Sequence, residues 1–90
     1  MALNFSNKVA IITGAGKGIG FEIARQLVVE GACVSLNDID ENLAKEAAIK
    51  LVLEGPGKCI AFPGDASDYN FIQKLVKATI LEFGRLDIAI

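Results

Sequence analysis

Residues 13–20 read "TGAGKGIG" and follow directly on the apolar run "VAII" of residues 9–12. Gly14, Gly16, Gly18 and Gly20 stand at alternate positions, a concentration that costs backbone entropy on folding. Residues 8–12, "KVAII", are short, β-branched and apolar, the texture of a buried strand. From Gly18 the period changes: Ile19, Ile23 and Leu27 recur at i, i+4 and i+8, with Ala24 and Val28 beside them, which predicts one face of a helix. A Gly-rich turn between a strand and a helix start is the geometry of a phosphate cradle. The helix N-terminus offers unpaired backbone N–H groups and partial positive charge, and side chains on the turn would block an approaching phosphate.

The same alternation continues along the chain. Gly31 is placed to stop the first helix. Residues 32–36, "ACVSL", predict a second strand, and a second helix runs from about Asp40 with Leu43, Ala47 and Leu51 on one face until Gly55-Pro56-Gly57. Residues 58–62, "KCIAF", predict a third strand. Ser67 is placed to cap a third helix carrying Ile72, Val76, Ile80 and Phe83, with Leu75 and Thr79 flanking, and Gly84 ends it. Residues 86–90, "LDIAI", begin a fourth strand, where the sequence stops. This βαβαβαβ order with short connections predicts an α/β fold, a parallel sheet with helices on both faces.

Composition bounds the function. Ninety residues suit one small domain, and 52% hydrophobic content predicts a buried core rather than disorder. A net charge of −2 offers no basic footprint for nucleic acid and no polybasic patch for a membrane. No apolar run approaches the ~20 residues of a membrane span, and residues 1–8 lack the apolar core of a signal peptide. A cytoplasmic location is the expectation. Cys33 and Cys59 are the only cysteines and form no C-x-x-C pair, so each is expected to act as a small buried hydrophobe. There is no His and no carboxylate cluster at ligand spacing, and no metal site is expected.

Spacing narrows the reading of the cradle. A Walker loop fails because Gly16-Lys17 precedes Gly18 rather than Ser or Thr, and Ile11 stands where its first glycine belongs. The G-x-G-x-x-G pattern fails as well, ending on Ile19 when counted from Gly14 and on Phe21 when counted from Gly16. T-G-x-x-x-G-x-G fits, as Thr13-Gly14, Gly18 and Gly20.

That pattern resembles the short-chain dehydrogenase/reductase family, and the resemblance extends along all 90 residues. "GACVSLNDID" is similar to the family's second strand with its acidic end, "GDAS" to its adenine contact after the third strand, and "FGRLDIAI" to its run into the fourth. The resemblance implies a Rossmann-type, doubly wound sheet of strand order 3-2-1-4. The 90 residues would be its dinucleotide-binding half, cut after the fourth strand. The implied cofactor is a nicotinamide dinucleotide, bound by Gly14, Gly16, Lys17, Gly18, Ile19 and Gly20, where Gly14 allows the tight turn, Gly18 lets the pyrophosphate approach and Gly20 lets the helix pack closely on the sheet.

Asp38, 18 residues after Gly20, is expected to accept the adenosine ribose hydroxyls, with Asp40 competing for that role but better placed to cap the second helix. Asp38 favours NAD, whereas Lys17, just before the second motif glycine, argues for NADP or is a solvated loop charge. NAD is the expected preference, with NADP the alternative. By resemblance, Asp65 and the Ala66 N–H read the adenine edge; alternatively Asp65 caps a turn before Ser67. Ile39 is expected to line the adenine pocket, and Thr13 to tie down the turn.

The family works with a Tyr and a Lys four residues apart, the Lys lowering the acid/base pKa of the Tyr. Tyr69 is followed by Gln73 and does not match, so no catalytic residue is assigned here and these 90 residues alone are expected to be inactive. The implied parent is a homo-oligomeric oxidoreductase moving hydride between a nicotinamide cofactor and an alcohol or ketone. The alternative is a standalone nucleotide-binding or partner-binding module without catalysis.

Overall fold

A computed structural model describes residues 4–90; residues 1–3, part of the 1–8 stretch read above for a leader, lie outside the described residues. The elements are β1 (Val9–Ile12), α1 (Gly18–Val29), β2 (Cys33–Asp38), α2 (Glu41–Val52), β3 (Lys58–Pro63), α3 (Tyr69–Phe83) and β4 (Ile88–Ala89). All strand pairs are parallel and the sheet order is β3-β2-β1-β4, as the sequence predicts. Successive right-handed crossovers explain the layering. β1-α1-β2 and β2-α2-β3 step one way and put α1 and α2 on one face, while β3-α3-β4 steps back and puts α3 on the other.

The core sits between the sheet and the α1/α2 layer. Ala10, Ile12, Val34 and Leu36 alternate along β1 and β2 and meet Ala24, Leu27 and Val28 of α1 and Ala44, Ala47, Ala48 and Leu51 of α2. The opposite face is more polar than the sequence texture suggests. Ser35 is fully buried there, and its hydroxyl lies 2.8 Å from that of Thr79, which also donates to the Leu75 carbonyl. Among the described residues every buried polar side-chain atom has a partner.

Helix boundaries follow the expected signals with three corrections. Asp40 caps α2 by accepting from the Leu43 N–H, and Gly84, with φ +85°, ends α3 while its N–H bonds the Ile80 carbonyl. Ser67 is not the α3 cap: Asp68 takes that role, accepting from the Asn70 and Phe71 N–H groups, and Ser67 instead donates to Asp65. Ile19 is not on the core face of α1. It is 82% exposed and, with Phe5, Ile23 and Leu27, lines a groove of about 410 Å³ beside that helix. On α3 the buried positions are Leu75 and Thr79, while Ile80 is exposed and Ile72, Val76 and Phe83 are half-buried.

The two cysteines differ. Cys59 is buried, and burial pushes its thiol up to about 12; Cys33 is only half-buried, against the expectation of a core position. A thiol reagent at pH 8 should therefore label Cys33 well ahead of Cys59 in the folded chain, and both together in urea, as read by mass spectrometry. Equal labelling rates in the folded chain would mean that the sheet opens locally at β3.

Candidate functional site

The C-terminal ends of β1, β2 and β3 converge on one edge of the sheet, where the loop of residues 13–17, the start of α2 and the turn after β3 meet. In an open parallel sheet the crevice beyond the strand ends is where ligands bind. Gly14 and Gly18 have φ of +60° and +68°, left-handed conformations that admit glycine readily, and nothing lies within 4 Å of where a Cβ would stand on either. The cradle is open on that side. Gly20 is constrained differently: a Cβ there would meet the Gly14 carbonyl oxygen at 2.8 Å and the Ala15 Cα at 3.0 Å. Its missing side chain thus lets the loop, rather than the sheet, close on the helix.

The first amides of α1 have no intrahelical acceptor, and Lys17, at the N-cap position, supplies no side-chain cap. The α2 and α3 N-termini are both capped by Asp. The start of α1 therefore presents free N–H groups and the positive end of the helix dipole toward the open loop. Lys17 at that N-cap and Ile39 just after β2, the latter 73% exposed, both lie on the surface.

Two adjacent residues at the end of β2 hold the surrounding loops together. Asp38 is buried, and its Oδ2 accepts from the Gly16 N–H and its Oδ1 from the Asp40 N–H, both at 3.0 Å. Its main-chain carbonyl accepts from the Gly64 N–H. Asn37, 1% exposed, donates through Nδ2 to the Phe62 and Gly64 carbonyls at 2.9 and 3.0 Å, and its own carbonyl accepts from the Ala15 N–H. The Asn37-Asp38 pair thereby staples the glycine loop, the start of α2 and the turn after β3 to one strand end. Sequence reasoning found Asp38 and missed Asn37; the only signal was a polar residue preceding the acidic one at a strand end.

Replacing Asn37 by Leu keeps the volume and removes both donors. Losing these two part-buried hydrogen bonds should cost about 1–3 kcal/mol, read as a lower urea midpoint with an unchanged slope. A loss below about 0.5 kcal/mol would mean that water takes over both bonds.

Asp65 and Ala66 lie after β3. The Asp65 Oδ1 accepts from both the N–H and the hydroxyl of Ser67, and those bonds, the hydroxyl first, hold its carboxyl below the usual range. The turn-capping role is therefore realised. Since a carboxylate has about four acceptor positions, the Ser67 bonds leave capacity for a further donor. Thr13 does tie down the turn: its N–H and hydroxyl both donate to the Ile90 carbonyl, locking the loop to the end of β4. At the other end of β4, Asp87 accepts from the Val9 N–H and pairs with Arg85, whose guanidinium is the main cause of its lowered pKa. Among the described residues no group of three His, Cys, Asp or Glu could hold a metal ion, and no helix is long and apolar enough to cross a membrane.

A parallel 3-2-1-4 sheet with a glycine-rich first turn and an acidic second strand end defines a Rossmann-type α/β fold. The short chain dehydrogenase family model matches residues 8–90. The chain is 41% identical over 87 residues to the short chain dehydrogenase/reductase astE of Aspergillus oryzae, covering 97% of this chain and 33% of that protein. It is 39% identical over 87 residues to meso-2,3-butanediol dehydrogenase of Serratia marcescens, covering 96% and 33%. The crystal structure of a hydroxysteroid dehydrogenase from Escherichia coli superposes with a TM-score of 0.91 at 34% identity, covering 97% of this chain and 35% of that one. This chain belongs to the short-chain dehydrogenase family, and it spans about a third of the length of the curated relatives it matches. The family implies a nicotinamide cofactor, and the open cradle, the uncapped helix start and the buried Asp38 fit one.

Proposed function

We propose that residues 1–90 are the dinucleotide-binding part of an oxidoreductase that interconverts an alcohol and a ketone, with NAD preferred over NADP. The observation that carries the reading is Asp38, buried beside an open glycine cradle with both oxygens already oriented by backbone N–H groups. Those two bonds leave about two acceptor positions, one for each hydroxyl of a ribose. Gly14, Gly16, Lys17, Gly18, Ile19 and Gly20 take the pyrophosphate along the start of α1, through N–H groups and dipole. Ile39 offers an apolar surface to the adenine, and Asp65 with the Ala66 N–H reads its edge.

The bound dinucleotide supplies the hydride acceptor or donor. The chain's own residues bind and orient it, and proton transfer falls to residues outside these 90. Two relatives are named for substrates that carry hydroxyl groups, which supports the alcohol/ketone class. A homo-oligomer in the cytoplasm completes the reading.

Titrating the 90-residue chain and the longest natural form of the protein with NADH and NADPH, followed by nucleotide fluorescence, tests it. Tighter NADH binding by the longer form, with turnover of a secondary alcohol, is expected; the 90 residues should show none of that turnover. Absence of binding to either nucleotide by the longer form would overturn the reading in favour of a non-catalytic partner-binding module.

A further inference from the structure

Within residues 13–20, Gly16 is the glycine whose Cβ would meet a side chain from elsewhere in the chain. Its φ lies outside the left-handed region, so its backbone conformation does not require glycine. Space does. A Cβ at position 16 would stand 2.8 Å from Asp38 Oδ2, 3.0 Å from Asp38 Cγ and 2.9 Å from the Leu43 Cβ. The Gly16 N–H meanwhile donates to that same Oδ2 at 3.0 Å. Position 16 thus both leaves room for the Asp38 carboxylate and grips it.

We infer that Gly16 is a positioning residue for cofactor discrimination, acting through Asp38. The inference rests on the dinucleotide reading above and extends it. With glycine at 16, the carboxylate is drawn over the loop and fixed from two sides, by the Gly16 and Asp40 N–H groups. Its remaining lone pairs are then directed toward a ribose, and its charge stands where a 2′-phosphate would come. Any Cβ at 16 pushes the carboxylate off, lengthens the Gly16–Asp38 bond and turns the charge away. The ribose loses its acceptor and a 2′-phosphate loses its repulsion, so NAD weakens while NADP does not. The pyrophosphate is common to both dinucleotides, so any disturbance of the cradle at position 16 cancels in the ratio of their affinities.

The test is a double-mutant cycle in the full chain with Gly16→Ala, Asp38→Ala and the double variant, reading the ratio of NAD to NADP dissociation constants by calorimetry. Gly16→Ala should move that ratio toward NADP by about tenfold, the scale of one hydrogen bond to a charged group. In the Asp38→Ala background the same change should move it by less than about twofold, since the carboxylate it acts through is gone. A wild-type protein that binds dinucleotide, with a ratio unmoved by Gly16→Ala or moved equally in both backgrounds, overturns this inference and leaves the cofactor reading intact. A wild-type protein that binds neither nucleotide overturns both. Should Gly16→Ala fail to fold, amide hydrogen exchange decides instead. A Gly16 N–H protected in the wild type and exposed in Asp38→Ala supports the inference, and one that exchanges freely in both overturns it.

Discussion

Gly18→Val should lower the affinity of the full chain for NADH by about 100-fold or more, from two effects that separate experimentally. The first is backbone strain. Gly18 sits at φ +68°, and a β-branched residue held there costs on the order of 1–3 kcal/mol. The second is obstruction. Apart from its chain neighbours and its own helix, no protein atom lies within 4 Å of the Cβ position, so the new side chain points into open space, which on the proposed reading is the pyrophosphate's approach to the start of α1. Gly18→Ala carries most of the strain and little of the bulk, and it should lose only about tenfold, the scale of 1–2 kcal/mol of strain. Fluorescence titration measures both, with circular dichroism as the check that the fold survives. Equal losses for Ala and Val would assign the effect to strain alone. Affinity retained within threefold in Gly18→Val would reduce Gly18 to a turn residue and move the pyrophosphate elsewhere.

What the sequence made legible was what depends on chain-local physics. The parallel sheet with helices on both faces follows from four short apolar runs separated by helices, because the crossover rule leaves few topologies, while the order 3-2-1-4 is what the family resemblance implied. Asp40 and Gly84 declared their capping roles by residue type and place. The misplaced residues share a different cause. Ile19, Ile23 and Leu27 sit four apart, but an α-helix turns about 400° in four residues, so such a row drifts about 40° per step. The true core face of α1 is carried by Ala24, Leu27 and Val28, and the small Ala24 weighs little in a pattern read from large side chains. On α3, Thr79 looks like a flank of the apolar stripe until Ser35, 44 residues away, supplies a partner for its hydroxyl. Asn37 was invisible for the same reason. Nothing in a linear reading shows that the end of β3 presents two carbonyls in need of a donor.

Asp38→Ala should convert the preference from NAD toward NADP, by about 10- to 100-fold in the ratio of the two dissociation constants. A unit charge pair at ~4 Å in an effective dielectric of ~20 is worth roughly 4 kcal/mol, and partial solvation of the strand end reduces that to the 1.4–2.8 kcal/mol such ratios represent. With the carboxylate gone, the exposed Lys17 in the glycine loop is the candidate cation for a 2′-phosphate. The loss is not purely electrostatic. The Gly16 and Asp40 N–H groups both lose their acceptor, so the loop loosens and the affinity for NAD falls further than that for NADP gains. Asp38→Asn divides the two effects, since an amide oxygen still accepts one of those bonds while the charge is removed. If the charge dominates, Asn should behave like Ala in the ratio while keeping more of the thermal stability. An unchanged ratio in both variants would relocate the ribose, and Asp40 is then the next carboxylate to test. That alternative starts at a disadvantage, because Asp40 is exposed and one of its oxygens already caps α2. That single bond leaves the Asp40 carboxylate loosely oriented, whereas both oxygens of Asp38 are fixed by backbone N–H groups at the buried strand end beside the open cradle.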